Sequence, residues 1–336
     1  MFSLTPVPFR SLQFLNISCD FDRETASAPD IPQQFKGLFS SADALRQVKL
    51  SGMTNPQILG IPWSQLDRLF LEGLRSWRNT FAILRRLARA VRVDLLFIGE
   101  GEYEKDGDEE EDDDGTSIVW PHVRTLNVEC FSHGGTARLL GLLNAPNMQT
   151  LMLSNTADPF ADSSSFILFF LRTPLPLQQL TMSVQNIDSG FSNVLRQIPS
   201  LLQLHLEEIR SITDDFLHSL VYDSQNQSSV LLPDLTTLNL DWWWYGDFLP
   251  LNLDLMSEVI QSRSGGIFTD GQVSNRIGPI QKARIHLGSF EGSKKEVALR
   301  AEKFARFEDS LVSFCSQHHL DVDLDLARLL RVRMAD

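Results

Sequence analysis

The sequence predicts an α/β solenoid: short parallel strands on a concave face, helices on a convex face, curved like a horseshoe. Three observations predict it. A six-residue aliphatic pattern, L-x-x-L-x-L, recurs along the chain; the segments between copies carry helical spacing; and prolines punctuate the junctions. Self-similarity at a fixed short period is the mark of stacked repeats, each too small to bury its own apolar face.

The copies run in order as Leu12, Leu15, Ile17; Leu45, Val48, Leu50; Leu66, Leu69, Leu71; Val123, Leu126, Val128; Met148, Leu151, Leu153; Leu177, Leu180, Met182; Leu201, Leu204, Leu206; and Leu235, Leu238, Leu240. A degraded copy, "ARIHL", carries Ile285 and Leu287. Neighbouring starts lie 21 to 34 residues apart, except for the 57 between Leu66 and Val123. That gap divides if "VRVDLLF" at 91–97 is a further strand. In a strand, residues two apart share a face, so the last two aliphatics of each copy point into a core and the residue between them points out. Parallel neighbours need a crossover, and the intervening segments supply it.

Those segments read as helices. "RSWRNTFAILRRLARA" places Trp77, Phe81, Leu84 and Leu87 at helical spacing, and "DSGFSNVLRQI" does so with Phe191, Val194, Leu195 and Ile198. "TDDFLHSLVYD" opens with Thr213 as an N-cap and two aspartates in the first turn, where the helix dipole favours negative charge. Pro121, Pro146, Pro199 and Pro233 each stand two residues before the first aliphatic of a copy, and Pro8 and Pro62 stand four before, ending what precedes. Together these features specify a leucine-rich-repeat solenoid. A doubly wound sheet also alternates strand and helix, but it would not repeat one signature at this spacing.

A single domain over residues 1–336 is expected, with three irregular parts. The segment 99–117 is an acidic insert: between Glu100 and Asp114 stand eleven carboxylates and one lysine, a net of −10 out of the chain's −13. Mutual repulsion and the lack of apolar residues predict a disordered loop there. The Gly-, Ser- and Asn-rich stretch 262–279 predicts a polar loop. Residues 289–336 predict a C-terminal helical cap, with Ser293 and Glu296 as a capping box and Val297, Phe304, Phe307, Leu311 and Phe314 along one side. "HLDVDLDL" then alternates as a final strand or edge.

Charge and composition exclude several functions. Outside the insert the net charge is only −3, without the basic balance that general nucleic-acid binding needs. Three scattered cysteines form neither a disulfide framework nor a zinc site, which fits a reducing compartment. No basic, apolar leader opens the sequence, and the longest apolar run, "FILFFL" at 166–171, falls far short of a bilayer span. These features predict a soluble intracellular protein, cytoplasmic or nuclear, with no membrane partner. No nucleophile elbow, phosphate loop or dinucleotide fingerprint is present. "SHGGTARLL" at 132–140 lacks a lysine or nucleophile and reads as a turn into a helix, and the adjacent His318 and His319 lack the spacing of a zinc pair. No enzyme activity, cofactor or metal is expected. Cys19 and Cys130 each follow the last aliphatic of a copy by two positions and are expected to be small core residues.

The expected binding surface is the row of outward residues between the aliphatics: Arg68 and Phe70, Thr125 and Asn127, Gln203 and His205, Thr237 and Asn239. At its rim stand Trp242, Trp243, Trp244 and Tyr245, read as the loop leaving the strand that carries Leu238 and Leu240. Large rings of this kind either anchor an interface or fill a gap in an irregular repeat. His205 and Glu207 share a strand face and read as recognition contacts rather than an acid–base pair.

The rhythm of a proline followed by the aliphatic pattern, in "IPSLLQLHL" at 198–206 and "LLPDLTTLNL" at 231–240, joins "MSEVIQSR" at 256–263, a polar insert, "ARIHL" and a closing amphipathic helix. In these the chain resembles the repeat region of F-box/leucine-rich-repeat proteins of mushroom-forming fungi. The resemblance implies a non-enzymatic scaffold that recognises a protein substrate for a cullin (SCF-type) ubiquitin ligase. In that family an N-terminal F-box docks on the ligase's adaptor subunit. This sequence reads directly into its first copy, so adaptor binding is expected only through an F-box outside this chain. The alternative is a free-standing leucine-rich-repeat interaction or inhibitor module unrelated to ubiquitination.

Overall fold

A computed structural model describes residues 9–19, 35–53, 55–74, 77–97, 116–130, 135–155, 163–172, 176–222, 230–242, 252–264, 280–287, 302, 305–309, 311 and 321–325. The chain divides into two compact units, Met1–Ala157 with Leu171–Leu175, and Asp158–Phe170 with Pro176–Asp336. Each is a mixed α/β assembly of parallel strands and helices, and in neither do the described strands close a barrel.

The first unit contains β1 (Phe14–Ser18), β2 (Gln47–Ser51), β3 (Arg68–Leu74), β4 (Arg92–Phe97), β5 (Ile118–Val119), β6 (Thr125–Cys130), β7 (Leu143–Asn144) and β8 (Thr150–Asn155), with helices α1 (Trp77–Leu84) and α2 (Gly135–Leu142). Six of the strands pair in parallel in the order β1-β2-β3-β4-β6-β8. Their register aligns equivalent aliphatics in one ladder: Leu15, Val48, Leu69, Val93, Leu126 and Leu151. All six are buried, and a second ladder, Leu50, Leu71, Leu95, Val128 and Leu153, is buried beside it. Each such side chain withdrawn from water contributes about 1.5–3 kcal/mol, so the ladders form the core of this unit.

The 57-residue gap holds the copy Ala90, Val93, Leu95, all buried. An alanine at the first position concealed it from the aliphatic pattern. The helix expected from Trp77 through Leu87 stops at Leu84; the chain then tightens, with Arg86 N–H donating to Ile83 O and Leu87 N–H to Leu84 O. The buried Trp120 closes this end by donating its indole N–H to Leu84 O at 2.9 Å. Ile118, Trp120 and the short β5–β7 pair thus secure the chain where it resumes after the acidic segment, of which residues 99–115 lie outside the described residues.

The second unit contains β9 (Gln179–Ser183), β10 (Asn186–Ile187), β11 (Gln203–Ile209), β12 (Ser211–Ile212), β13 (Thr237–Trp242), β14 (Lys282–Leu287) and β15 (Asp321–Asp325). Its helices are α4 (Ser189–Leu195), α5 (Asp214–Leu220) and α6 (Leu253–Ser264), preceded by α3 (Ser163–Arg172), whose first eight residues belong here. The parallel order is β9-β11-β13-β14-β15, with Leu180, Leu204, Leu238 and Ala283 in one buried ladder and Met182, Leu206, Leu240 and Ile285 in the next. The degraded copy is therefore Ile280, Ala283, Ile285. Leu287, which "ARIHL" offered as a template position, aligns instead with Trp242. Caps start the helices as their sequences require: Thr213 Oγ1 accepts from Phe216 N–H, and Asp188 Oδ1 from Phe191 N–H.

The polar stretch expected as a loop over 262–279 starts later than its composition implies, because α6 continues through Ser264. Arg263, 2% exposed, explains the extension. Its guanidinium donates to the carbonyls of Leu220, Leu231 and Leu232. Burial lowers its pKa to about 10, which leaves it charged at neutral pH. Residues 265–279 lie outside the described residues, as do the capping box Ser293/Glu296, Val297, Phe304 and Phe314. Within the C-terminal segment Phe307 and Leu311 are buried one helical turn apart, and β15 pairs with β14 in parallel. Among the described residues no helix is long and apolar enough to cross a membrane. Cys19 is half-buried rather than a core residue, because it lies past the end of the edge strand β1.

Candidate functional site

Parallel sheets generally bury both faces and read as continuous hydrophobic runs. These strands alternate. In β13 buried Leu238, Leu240 and Trp242 interleave with half-buried Thr237, Asn239 and Asp241. Most outward positions of β3, β6, β11 and β13 likewise remain partly accessible. In each unit this produces a polar, in-register surface backed by the aliphatic ladders.

On the first unit, Arg68 is exposed and Phe70 half-buried on β3, and Thr125 and Asn127 are half-buried on β6. Between them β4 contributes two residues that the sequence reading passed over. Arg92 aligns with Arg68 on one side and Thr125 on the other, and Asp94 with Phe70 and Asn127. Arg92 binds the Asp94 carboxylate through two nitrogens, Nε at 2.8 Å and Nη2 at 2.9 Å. That hydrogen bond raises the arginine's pKa, against burial and with help from the Asp94 charge. On β2, Lys49 holds its ammonium 4.5 Å from the centre of the Phe70 ring. The Ser51 hydroxyl donates to Glu72 at 2.7 Å. The repeat template, applied to "VRVDLLF", would have named Arg92 and Asp94.

On the second unit the predicted residues are neighbours: Gln203 aligns with Thr237, and His205 with Asn239. Next to them the structure adds an acidic group with two imidazoles. His205 Nδ1 lies 3.6 Å from Glu207 Oε1, and His286 Nε2 lies 4.0 Å from Asp241 Oδ1. The ladder slips between Leu206 and Ile209, because Glu208 occupies an extra position with φ of 58°. Burial raises the pKa of Glu208, reinforced by the Glu207 and Asp241 charges and opposed by Arg210. Among the described residues, Asn239 Oδ1 and Asp241 Oδ1 are shielded from water and accept no hydrogen bond.

Trp242 is not a rim residue. It continues the period-two alternation as the last residue of β13 and is 1% exposed, because strand pairing with Ile209 and Leu287 carries the ladder one rung further. Trp243, Trp244 and Tyr245 lie outside the described residues. No group of three or more His, Cys, Asp or Glu side chains among the described residues could hold a metal ion. The polar surfaces can therefore offer hydrogen bonds, ion pairs and a ring face to a ligand. No protein-family model and no curated protein matches the chain.

Proposed function

We propose that this chain is a leucine-rich-repeat recognition module that binds a protein partner on its polar strand face and performs no chemistry itself. One observation carries the reading: parallel, in-register strands whose aliphatics are buried on one side and whose outward residues stay accessible on the other. Doubly wound sheets cover both faces, whereas a solenoid leaves one free as a wide surface built from successive repeats. Such a surface suits a protein better than a small molecule, which binds in a closed concave pocket. The resemblance to F-box/leucine-rich-repeat proteins makes the partner a ubiquitination substrate; the free-standing module is the other form of the same reading.

The test blocks the face with bulk. Affinity capture from a native lysate is compared between the wild-type chain and a Gln203→Arg/Thr237→Arg variant, with circular dichroism confirming the fold. A partner retained by the wild type and lost by the variant is the expected result. If the folded variant keeps every partner, the face is not the binding surface. Cullin and its adaptor subunit in the wild-type eluate assign the module to a ligase, and a specific partner without them assigns it to the free-standing form.

A further inference from the structure

The chain is acidic overall, yet the beginning of the strand face in the first unit runs against that balance. Across β2, β3, β4 and the residue preceding β6 stand Arg46, Lys49, Arg68, Arg92 and Arg124, with Asp43, Asp67, Asp94 and Glu72, which accepts from the Ser51 hydroxyl, as the nearby carboxylates. Their capacities are unequal. Arg46 is engaged by the carbonyls of Asp43 and Leu45. Asp94, with a side chain 12% exposed, is committed to Arg92 through both oxygens. Arg68 and Arg124 are exposed and form no ion pair among the described residues. Lys49 is half-buried, with its ammonium over the Phe70 ring.

The register makes this more than a count. Arg68 and Arg92 are aligned partners on adjacent strands, roughly 4.8 Å apart in a sheet. Like charges placed directly opposite destabilise the pair unless something answers them. Asp94 answers Arg92, and Arg68 is left for a ligand. Two residues along, on the same face, Lys49 and Phe70 are aligned in the same way, so the cations flank an aromatic ring.

We propose that this face of the first unit, centred on Arg68, Lys49 and Phe70, binds an extended acidic segment of the protein partner, whose carboxylates pair with the two cations while an apolar side chain rests on the ring. The inference rests on the recognition reading above and names the chemistry of the partner. Guanidinium and carboxylate match in planar, bidentate geometry, and a cation already over an aromatic ring adds a carboxylate contact without giving up the first.

Fluorescence anisotropy on the full chain tests it, with a labelled glutamate-rich peptide containing leucine as the probe and a lysine-rich peptide and a single-stranded DNA oligonucleotide as comparators. The glutamate-rich peptide is expected to bind with an affinity that falls as salt rises. Arg68→Glu and Lys49→Glu should each weaken it roughly tenfold, and Arg10→Glu should leave it unchanged. The proposal is overturned if Arg68→Glu binds as the wild type does, or if the oligonucleotide binds as tightly as the peptide. It is also overturned if binding develops only after the carboxylates between Glu100 and Asp114 are changed to amides, since the chain's own tract then fills the face. Because the blocking substitutions at Gln203 and Thr237 lie in the other unit, the recognition reading can succeed where this proposal fails.

Discussion

β3 in the first unit and β11 in the second bend at the same point of their repeats. In each, one extra residue slips the ladder: Gly73 between Glu72 and Leu74, and Glu208 between Glu207 and Ile209. Both extra residues have left-handed backbone, φ of 69° at Gly73 and 58° at Glu208. Such bulges re-aim the following residue: the backbone register resumes with Leu74 opposite Phe97, and Ile209 is buried in the next rung beside Trp242. The backbone solution is shared and the residue is not. Glycine takes this conformation freely, whereas a residue with a Cβ is strained there by about 1–2 kcal/mol. The second unit therefore holds a strained carboxylate beside two others, on the polar face, where the first unit has a relaxed turn. Locally unfavourable residues of this kind collect at surfaces whose sequence is set by something other than stability.

The rung after the bulge is where the largest effect is expected. Trp242 is fully enclosed, and its indole N–H has no partner among the described residues. Trp242→Ala should cost about 3–5 kcal/mol through the cavity it leaves. Trp242→Phe should cost less than about 1.5 kcal/mol, since it keeps most of the ring and removes an unpaired donor. Urea denaturation of both variants checks this. Equal losses would mean that filling this buried rung with a ring is not what stabilises the end of β13.

Trp242 also shows what the sequence made legible. Period-two alternation placed Arg68, Phe70, Gln203, His205, Thr237 and Asn239 on outward positions, because burial on one face imposes that period whatever the partner strand. The same alternation extended past Leu240 would have placed Trp242 inside. Four consecutive aromatics instead read as a loop cluster, since no strand can bury four in a row. Two copies were legible only in part for a related reason: Ala90 and Ala283 fill template positions with too little apolar surface to register as leucines, so one read as an isolated strand and the other as a degraded copy. The contacts of Lys49 with Phe70 and of His286 with Asp241 depend on pairing between strands, which no single repeat encodes. The bulge at Glu208 was invisible because glutamate is a poor left-handed residue, and its conformation is imposed by its neighbours.

The paired glycine and glutamate give the next effect in size. Gly73→Ala should destabilise the chain by about 1 kcal/mol, because the left-handed backbone penalises the new Cβ by more than the unfolded chain loses in freedom. Glu208→Gly should stabilise it by about 0.5–1 kcal/mol, the relieved strain less the added flexibility of the unfolded state. Opposite shifts of the thermal midpoint are the expected signature. Shifts of the same sign would mean that the two bulges are not equivalent.

The smallest effect isolates charge from backbone. The folded pKa of Glu208 lies above its ordinary value of 4.5, from burial first and then the Glu207 and Asp241 charges. For a group whose folded pKa is raised, the folded state binds the proton more tightly than the unfolded state. Its stabilising contribution is complete below the unfolded value and is lost as pH rises through the folded one. Glu208→Gln keeps the strained backbone and removes the titration. It should therefore be slightly more stable than the wild type at neutral pH, and the gap should close as pH falls toward 4.5. The side chain is half-buried, and partial solvent screening keeps the gap small. Denaturation midpoints of both proteins across the acid range decide the matter. A gap independent of pH would show that neither burial nor the charges of Glu207 and Asp241 act on Glu208, and that the contrast with Gly73 is one of backbone alone.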